Sequence, residues 1–359
     1  MQGSRSKLLV MGFDGLDYEL FKQRGPAGLE VLPLYSPVPV TGPAWTSIYT
    51  GDSTTTHGVR NVYGLETRRR YARNELLHWV GWYGHQLFRL LRFKPLHRRY
   101  VTRARTQSKY IWDTLSAAGV RVKVVAMPIT CPVRKVNGIH VGGFPVVTRK
   151  AWCYPAELSE KVPADYAKWC DIIHCFQDPE LHSHRHWKRR LKAMGLEGPK
   201  KTLAENTEKL AAFFLSLPGA DLEMIQFSFI DRLGHVFGMG GAPEEFCYDM
   251  VLRLIRNVGD AVRPEAMMVI SDHGFQGDAH TDYGALGLGG TIRDLIHLPA
   301  GYTPTVLDVA PTIGGLFGVP HLCEGNDLTG VGPYVTRPRE EDEREKADIM
   351  GRLRELGYL

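Results

Sequence analysis

The chain has 359 residues, of which 43% are hydrophobic and 23% charged; this ordinary globular composition excludes disorder as the main state and leaves ample length for a buried core. Lys and Arg number 44 against 39 Asp and Glu, a net +5, but Glu66–Lys109 alone holds ten Arg and two Lys against two Glu. That local +10 leaves about −5 for everything else, which is a different object from a uniformly basic nucleic-acid-binding protein.

Short apolar runs alternate with helix-like stretches along the chain. Lys7–Phe13 reads as a buried strand ending at Asp14-Gly15. Val38–Gly51, VPVTGPAWTSIYTG, reads as a loop running into a helix, and His57-Gly58 follows. Tyr110–Ala118 is helical, stops at Gly119, and gives way to a strand over Val120–Ala126. Ala204–Leu217 is a periodic helix, while Leu222–Ile230 and Ala266–Ser271 are further strands. Leu307–Phe317 is a helix closed by Gly318 and Pro320, and a charged helical tail starts at Arg337. This alternation predicts an α/β protein with a mainly parallel sheet flanked by helices. Residues 1–359 read as one domain with two insertions, a basic, aromatic lid over 66–109 and a cap over about 152–198. Both are placed to cover the sheet's C-terminal edge, where open α/β sheets bind ligands.

The six cysteines, at 131, 153, 170, 175, 247 and 323, form neither a disulfide framework nor a zinc-ribbon spacing. Leu8–Phe13 is too short for a signal-peptide core, and no stretch reaches ~18 apolar residues. The expected location is cytoplasmic.

The chemistry lies where acidic and imidazole groups fall. Three predicted strands run straight into a carboxylate: one into Asp14, one into Asp231, and one into Asp272-His273. His235 follows Asp231 by four and His280 follows His273 by seven. A lone Asp at a strand end is usually a turn former, but three at one sheet edge with three imidazoles form an N/O ligand set. Such a set suits Zn²⁺, or Mn²⁺ and Fe²⁺, and six ligands exceed one catalytic ion. Two ions ~3.5–4 Å apart would divide them and clamp a phosphoryl displacement. Thr41, just ahead of Pro43, is the candidate nucleophile at a helix N-terminus. The competing reading is that Thr41 merely caps that helix, with Thr46, Ser47 and Thr50 as rival hydroxyls.

The motifs FDGLD at 13–17, TGPAWTSIYTG with HGVRN through 61, IWDTLSAAG at 111–119, MPITCP at 127–132, IDRLGH at 230–235, SDHG at 271–274 and LDVAPTIGGLFGVP at 307–320 together resemble the alkaline phosphatase superfamily. The resemblance is to its type I phosphodiesterase/nucleotide pyrophosphatase branch. It implies an alkaline-phosphatase-like core and a metal-dependent phosphoric diester hydrolase acting on phosphodiester or pyrophosphate bonds. By position, Asp231, His235 and His280 would hold one metal, normally zinc. Asp14, Asp272 and His273 would hold the second, with Thr41 as the nucleophile bound to it. Asn61 would donate to a phosphoryl oxygen, and His297 is the fallback for His280. Gly42 stands where nucleotide-preferring members place a stacking aromatic. Thr41-Gly42-Pro43 lacks the modifiable Cys or Ser of sulfatases.

The alternatives are a phosphomonoesterase or phosphonate/phosphoglycerate-type relative using the same site, and an inactive binding or sensing protein. The expected partner is an anionic phosphoryl substrate, a nucleotide or other phosphodiester, rather than nucleic acid. Residues 79–93, WVGWYGHQLFRLLRF, carry an amphipathic mix suited to a membrane surface or a second subunit. Cys170 and Cys175 lie among His174, His182, His184 and His186 without a standard zinc spacing.

Overall fold

The chain's first strand is apolar at every position save Gly12, and all six of its residues are buried. The architecture around it was analysed in a computed structural model that describes residues 6–60, 63–67, 96–100, 103, 106–145, 152–170, 189, 191–330, 343–344, 346–347 and 349. In chain order the elements are β1 (Leu8–Phe13), α1 (Tyr18–Gln23), β2 (Leu29–Tyr35), α2 (Thr41–Thr50), α3 (Thr54–His57), β3 (Tyr63–Thr67), β4 (Leu96–Tyr100), α4 (Ile111–Ala117) and β5 (Val122–Val125). They continue with β6 (Gly138–Val141), β7 (Cys153–Tyr154), α5 (Tyr166–Cys170), α6 (Glu197–Ser216), β8 (Leu222–Phe227), α7 (Phe229–Phe237) and α8 (Ala242–Val262). Last come β9 (Ala266–Ile270), β10 (Gly274–Gln276), β11 (Ala279–Thr281), β12 (Tyr283–Gly290) and α9 (Val309–Leu316).

Eight strands form one sheet in the order β2-β12-β9-β1-β8-β5-β6-β7. The five central strands, β9 to β6, run parallel, while β12, β2 and β7 add antiparallel edges. The sheet is α/β and mainly parallel, as its apolar strands require, since they must be covered on both faces. Leu8 and Val10 pack with Trp45, Tyr49, Trp112 and Ile313 from α2, α4 and α9. Leu9, Met11 and Phe13 point the other way, toward Leu210, Phe214, Tyr248 and Val251 of α6 and α8. Period-2 alternation thus divides one strand between two helical layers. Gly12 lets α2 approach: a Cβ there would meet the Trp45 ring at 2.5 Å.

Two paired strands carry a buried ion pair. Lys123 on β5 lies beside Glu223 on β8, with Nζ 2.5 Å from Oε2 and both side chains almost wholly enclosed. The ammonium also sits 4.0 Å from the centroid of the Phe214 ring, and burial lowers its pKa against the pull of Glu223.

The boundaries differ from the sequence reading in one place that matters. The predicted strand Leu222–Ile230 ends at Phe227, and Asp231 belongs to the first turn of α7 rather than a strand end. Phe229, Ile230, Leu233 and Val236 are buried at helical spacing, and that periodicity outweighs the β-branched look of Ile230.

The basic segment 66–109 overlaps an antiparallel ribbon, β3 with β4, separate from the main sheet. Residues 68–95, including the membrane-contact candidate 79–93, lie outside the described residues, as do Cys175 and His174, His182, His184 and His186. Cys170 is buried, and the five described cysteines are free thiols. Among the described residues no helix is long and apolar enough to cross a membrane. Ile349 packs on Val38 and Val40, immediately before Thr41, while Lys346 pairs with Asp282 at 2.6 Å.

Candidate metal centre

Three turns at the C-terminal edge of the parallel strands deliver the predicted ligands. β1 ends in Asp14, and Gly15 takes a left-handed φ of +83°, passing so close to the Asp231 backbone that a Cβ would meet its nitrogen at 3.3 Å. The Asp231 amide donates to the Asp14 carbonyl at 3.1 Å, tying the start of α7 to this turn. β9 ends one residue before Ser271-Asp272-His273. The ribbon β10–β11 folds His280 back over the same edge, opposite Phe275.

The ligand atoms converge in two overlapping groups. Asp14, Asp272 and His273 offer atoms all within 4.8 Å of one another, and so do Asp231, His273 and His280. His273 Nε2 lies 3.5 Å from Asp14 Oδ1 and 3.2 Å from Asp272 Oδ2. His235 Nε2 and His280 Nε2 approach Asp231 Oδ1 at 3.1 and 3.0 Å, and each other at 3.1 Å. The rings of His273 and His280 stack at 3.9 Å and join the two groups. All six side chains expected from sequence are therefore together, with His273 between the two sets. His297 is exposed in the loop after β12 and outside both groups; Asn61 lies outside the described residues.

Thr41 is the first residue of α2, and the N-cap position falls to Val40, with no side-chain cap bond. Its hydroxyl turns instead toward Asp14, donating to Oδ1 at 3.4 Å. The rival hydroxyls are committed elsewhere. Thr46 and Thr50 donate to the carbonyls of Gly42 and Thr46, both at 2.8 Å. Ser47 Oγ meets His57 Nε2 at 3.1 Å. Because His57 Nδ1 accepts from the Val59 amide at 3.0 Å, Nε2 of the neutral ring carries the proton, so His57 cannot serve Ser47 as a base. Burial holds His57 down at about 3, which keeps it neutral.

The electrostatics are those of a site built for cations. Asp14 Oδ2, Asp231 Oδ2, Asp272 Oδ2 and His273 Nε2 are buried without a hydrogen-bond partner, four orphans at one place where such atoms are individually rare. Burial, then the nearby Asp231 charge, pushes Asp14 up to about 8. Burial, then Asp14 and Asp231, drives Asp272 well above the carboxylate range. Burial also acts to raise Asp231, but the His235 charge and bonds from His235 and His280 hold it well below. Burial lowers His235 and, more strongly, His273. His280 is raised, its burial outweighed by the bond and charge of Asp231. Two imidazoles are oriented as metal-binding ones usually are: His280 Nδ1 donates to the Pro39 carbonyl at 2.7 Å and His273 Nδ1 to that of Gly274 at 3.1 Å. With Nδ1 donating, the neutral form of each ring carries its lone pair on Nε2, the nitrogen that faces the cluster. The donor set, its orphaned atoms and these supports fit divalent ions.

Sequence reasoning missed the supports. Asp17 accepts from Gln276 Nε2 at 3.1 Å and Thr281 Oγ1 at 2.9 Å, so it clamps the ribbon that carries His280. Ser271 Oγ lies 2.7 Å from the carbonyls of both Phe13 and His273 and accepts the Leu16 amide. Both residues stand inside quoted motifs, FDGLD and SDHG, which was the available signal. Arg232, in IDRLGH, places Nη1 3.3 Å from Asp231 Oδ2.

The sequence model of the type I phosphodiesterase/nucleotide pyrophosphatase family matches residues 8–285. No curated protein matches the sequence. Among solved structures, the chain is similar to an inactive variant of murine ectonucleotide pyrophosphatase/phosphodiesterase 5 in complex with AMP, at 12% identity and TM-score 0.41 over 75% of this chain and 57% of that one. It is also similar to phosphonoacetate hydrolase from Sinorhizobium meliloti in complex with phosphonoformate, at 16% identity and TM-score 0.42 over 75% and 56%. A third is a 2-O GAG sulfatase, at 11% identity and TM-score 0.45 over 92% and 77%. The chain thus spans little more than half the length of the first two.

Proposed function

Since the chain belongs to the type I phosphodiesterase/nucleotide pyrophosphatase family, a family of phosphoester hydrolases, we propose that it is a metal-dependent phosphodiesterase that cleaves phosphodiester or pyrophosphate bonds through Thr41. The observation that carries this reading is the placement of one hydroxyl, aimed at Asp14, beside six converging N/O donors with orphaned buried atoms. Asp14, Asp272 and His273 would hold one divalent ion and Asp231, His235 and His280 the other, with zinc the best match to the donors. Bound there, the ions supply Lewis-acid stabilisation of phosphoryl oxygens.

The chain's own groups do the rest. The first turn of α2 presents Thr41 Oγ1 at the positive end of the helix dipole, which favours the alkoxide. Thr41 attacks phosphorus in line, its proton directed toward Asp14 Oδ1. A Thr41–phosphorus bond forms as the bond to the leaving oxygen breaks. Water then cleaves the phosphothreonine and regenerates the hydroxyl. Asp231 fixes His235 and His280, while the Pro39 and Gly274 carbonyls hold the rings of His280 and His273 in register.

The test is turnover of bis-p-nitrophenyl phosphate against p-nitrophenyl phosphate by the metal-loaded protein, with Thr41→Ala beside it. The diester is expected to be favoured, and Thr41→Ala to abolish turnover while metal content stays unchanged. Retained activity in Thr41→Ala refutes the nucleophile; a preference for the monoester moves the protein to the phosphomonoesterase reading.

A further inference from the structure

The loop that delivers Thr41 is not held by either main apolar layer. Ser36–Val40 runs from the end of β2 to the N-cap of α2. Its Val38 and Val40 stand outside both large clusters and pack with Ile349, a buried residue near the far end of the chain. Toward the layer holding Val306 and Leu307, Val38 borders a cavity of about 10 Å³ instead, where it has no partner atoms. The same C-terminal stretch makes a second contact. Lys346 and Ile349 are both helical and three apart, which puts them on one helix face. Lys346 Nζ lies 2.6 Å from both carboxylate oxygens of Asp282, the residue between β12 and the strand β11 that carries His280. The two segments gripped in this way are also laced to each other. The Ser36 amide donates to the Asp282 carbonyl at 2.7 Å, and His280 Nδ1 to that of Pro39 at 2.7 Å. Thr41 itself has only a 3.4 Å tie to Asp14 Oδ1, at the long limit of a hydrogen bond, so its loop sets its place. A helix that merely covered apolar surface would sit on the core layers; this face lands on the segments that bear the hydroxyl and a ligand.

We propose that Lys346 and Ile349 are positioning residues: their helix face clasps the 36–40 loop and the Asp282 turn, holding the Thr41 hydroxyl against Asp14 and His280 over the centre. This rests on the hydrolase reading above and concerns residues beyond the family match, which ends at residue 285. The Lys346 and Asp282 side chains are 22% and 31% exposed, so salt screens their attraction and loosens the clasp.

The experiment compares the zinc-loaded wild type with Lys346→Met, Lys346→Arg, Ile349→Ala and the exchanged pair Lys346→Asp with Asp282→Lys. Turnover of bis-p-nitrophenyl phosphate is measured at low and high potassium chloride, and zinc is titrated calorimetrically into each stripped protein. In Lys346→Met and Ile349→Ala, kcat at saturating zinc should fall about tenfold or more while KM stays within about twofold, because the attacking hydroxyl is displaced and the substrate's own contacts are not. One of the two ions, the one sharing His280, should bind about fivefold more weakly in the same variants. Lys346→Arg and the exchanged pair should recover most of both losses. Wild-type kcat should fall with salt and that of Lys346→Met should not, a signature that lost stability alone does not produce. Lys346 is partly exposed, so its variants carry the test even where Ile349→Ala fails to fold. Unchanged kcat and unchanged zinc affinity in Lys346→Met overturn the inference, as does a loss that Lys346→Arg and the exchanged pair both leave unrepaired. If the wild type hydrolyses no diester while Lys346→Met still loosens one ion, the clasp stands and the hydrolase reading fails.

Discussion

Stripping divalent ions from the protein should reverse the way its stability responds to pH. Asp14 is fully buried beside Asp231, which pushes it up to about 8 from an ordinary 3.8, and Asp272 is raised by the same causes. A carboxyl whose folded pKa exceeds its unfolded one keeps a proton that the unfolded chain has released. The native state then binds more protons, and stability falls as pH rises toward the folded pKa, by ~1.4 kcal/mol per pH unit for each such group. The depressed His235 and His273 act with the opposite sign, but only below their unfolded pKa of about 6.5. Raised His280 reinforces the carboxyls. Between about pH 6.5 and 8 the stripped protein should therefore lose on the order of 2 kcal/mol from Asp14 alone. With metal present the slope reverses, because ion binding draws on deprotonated ligands and strengthens as pH rises. Urea unfolding midpoints across this window, with and without a chelator, measure both slopes. Asp14→Asn should flatten that of the stripped protein. A stripped wild type whose stability is flat or increases with pH refutes the account of three buried, mutually repelling carboxylates.

Asp272→Ala should lose bound metal and turnover together, read by metal analysis and a bis-p-nitrophenyl phosphate assay. Asp17→Ala should release Gln276 and Thr281, weakening metal binding at the His280 side by ~10–100-fold in calorimetric titration while Thr41 and Asp14 stay in place. Lys123→Met should destabilise the fold by ~3–5 kcal/mol in denaturant unfolding, since it strands the Glu223 charge in the core. Pairing it with Glu223→Met should recover most of that loss.

The fold class was legible because β1 and β9 have no polar side chain, β5 and β8 are broken only by Lys123, Glu223 and Gln226, and the helices between them are periodic. The candidate ligands were legible for a related reason: Asp14 and Asp272 interrupt apolar runs abruptly, where nothing about folding asks for a charge. Asp231 was found, but at the wrong kind of position. Phe227, Phe229 and Ile230 suit a strand as well as a helix, and only tertiary burial separates the two. The supports were harder to see. Asp17 matters through Gln276 and Thr281 and His280 through the Pro39 carbonyl, contacts between segments more than two hundred residues apart that no local pattern encodes. Arg232 was passed over because its neighbours Asp231 and His235 accounted for the motif without it.

The central position of β1 has a consequence for how the protein is made. Leu8 pairs on one side with Leu222 and on the other with Ala266, so this strand is flanked by strands synthesised far later. On the ribosome, at roughly 5–20 residues per second, the segment LLVMGF waits on the order of ten seconds or more before either neighbour exists. Throughout that time it is an unpaired hydrophobic strand, the kind of species that holdase chaperones bind. The Asp14 carboxylate waits with it, and His280 emerges last of the six donors. The complete set of six is therefore assembled only when the sheet closes.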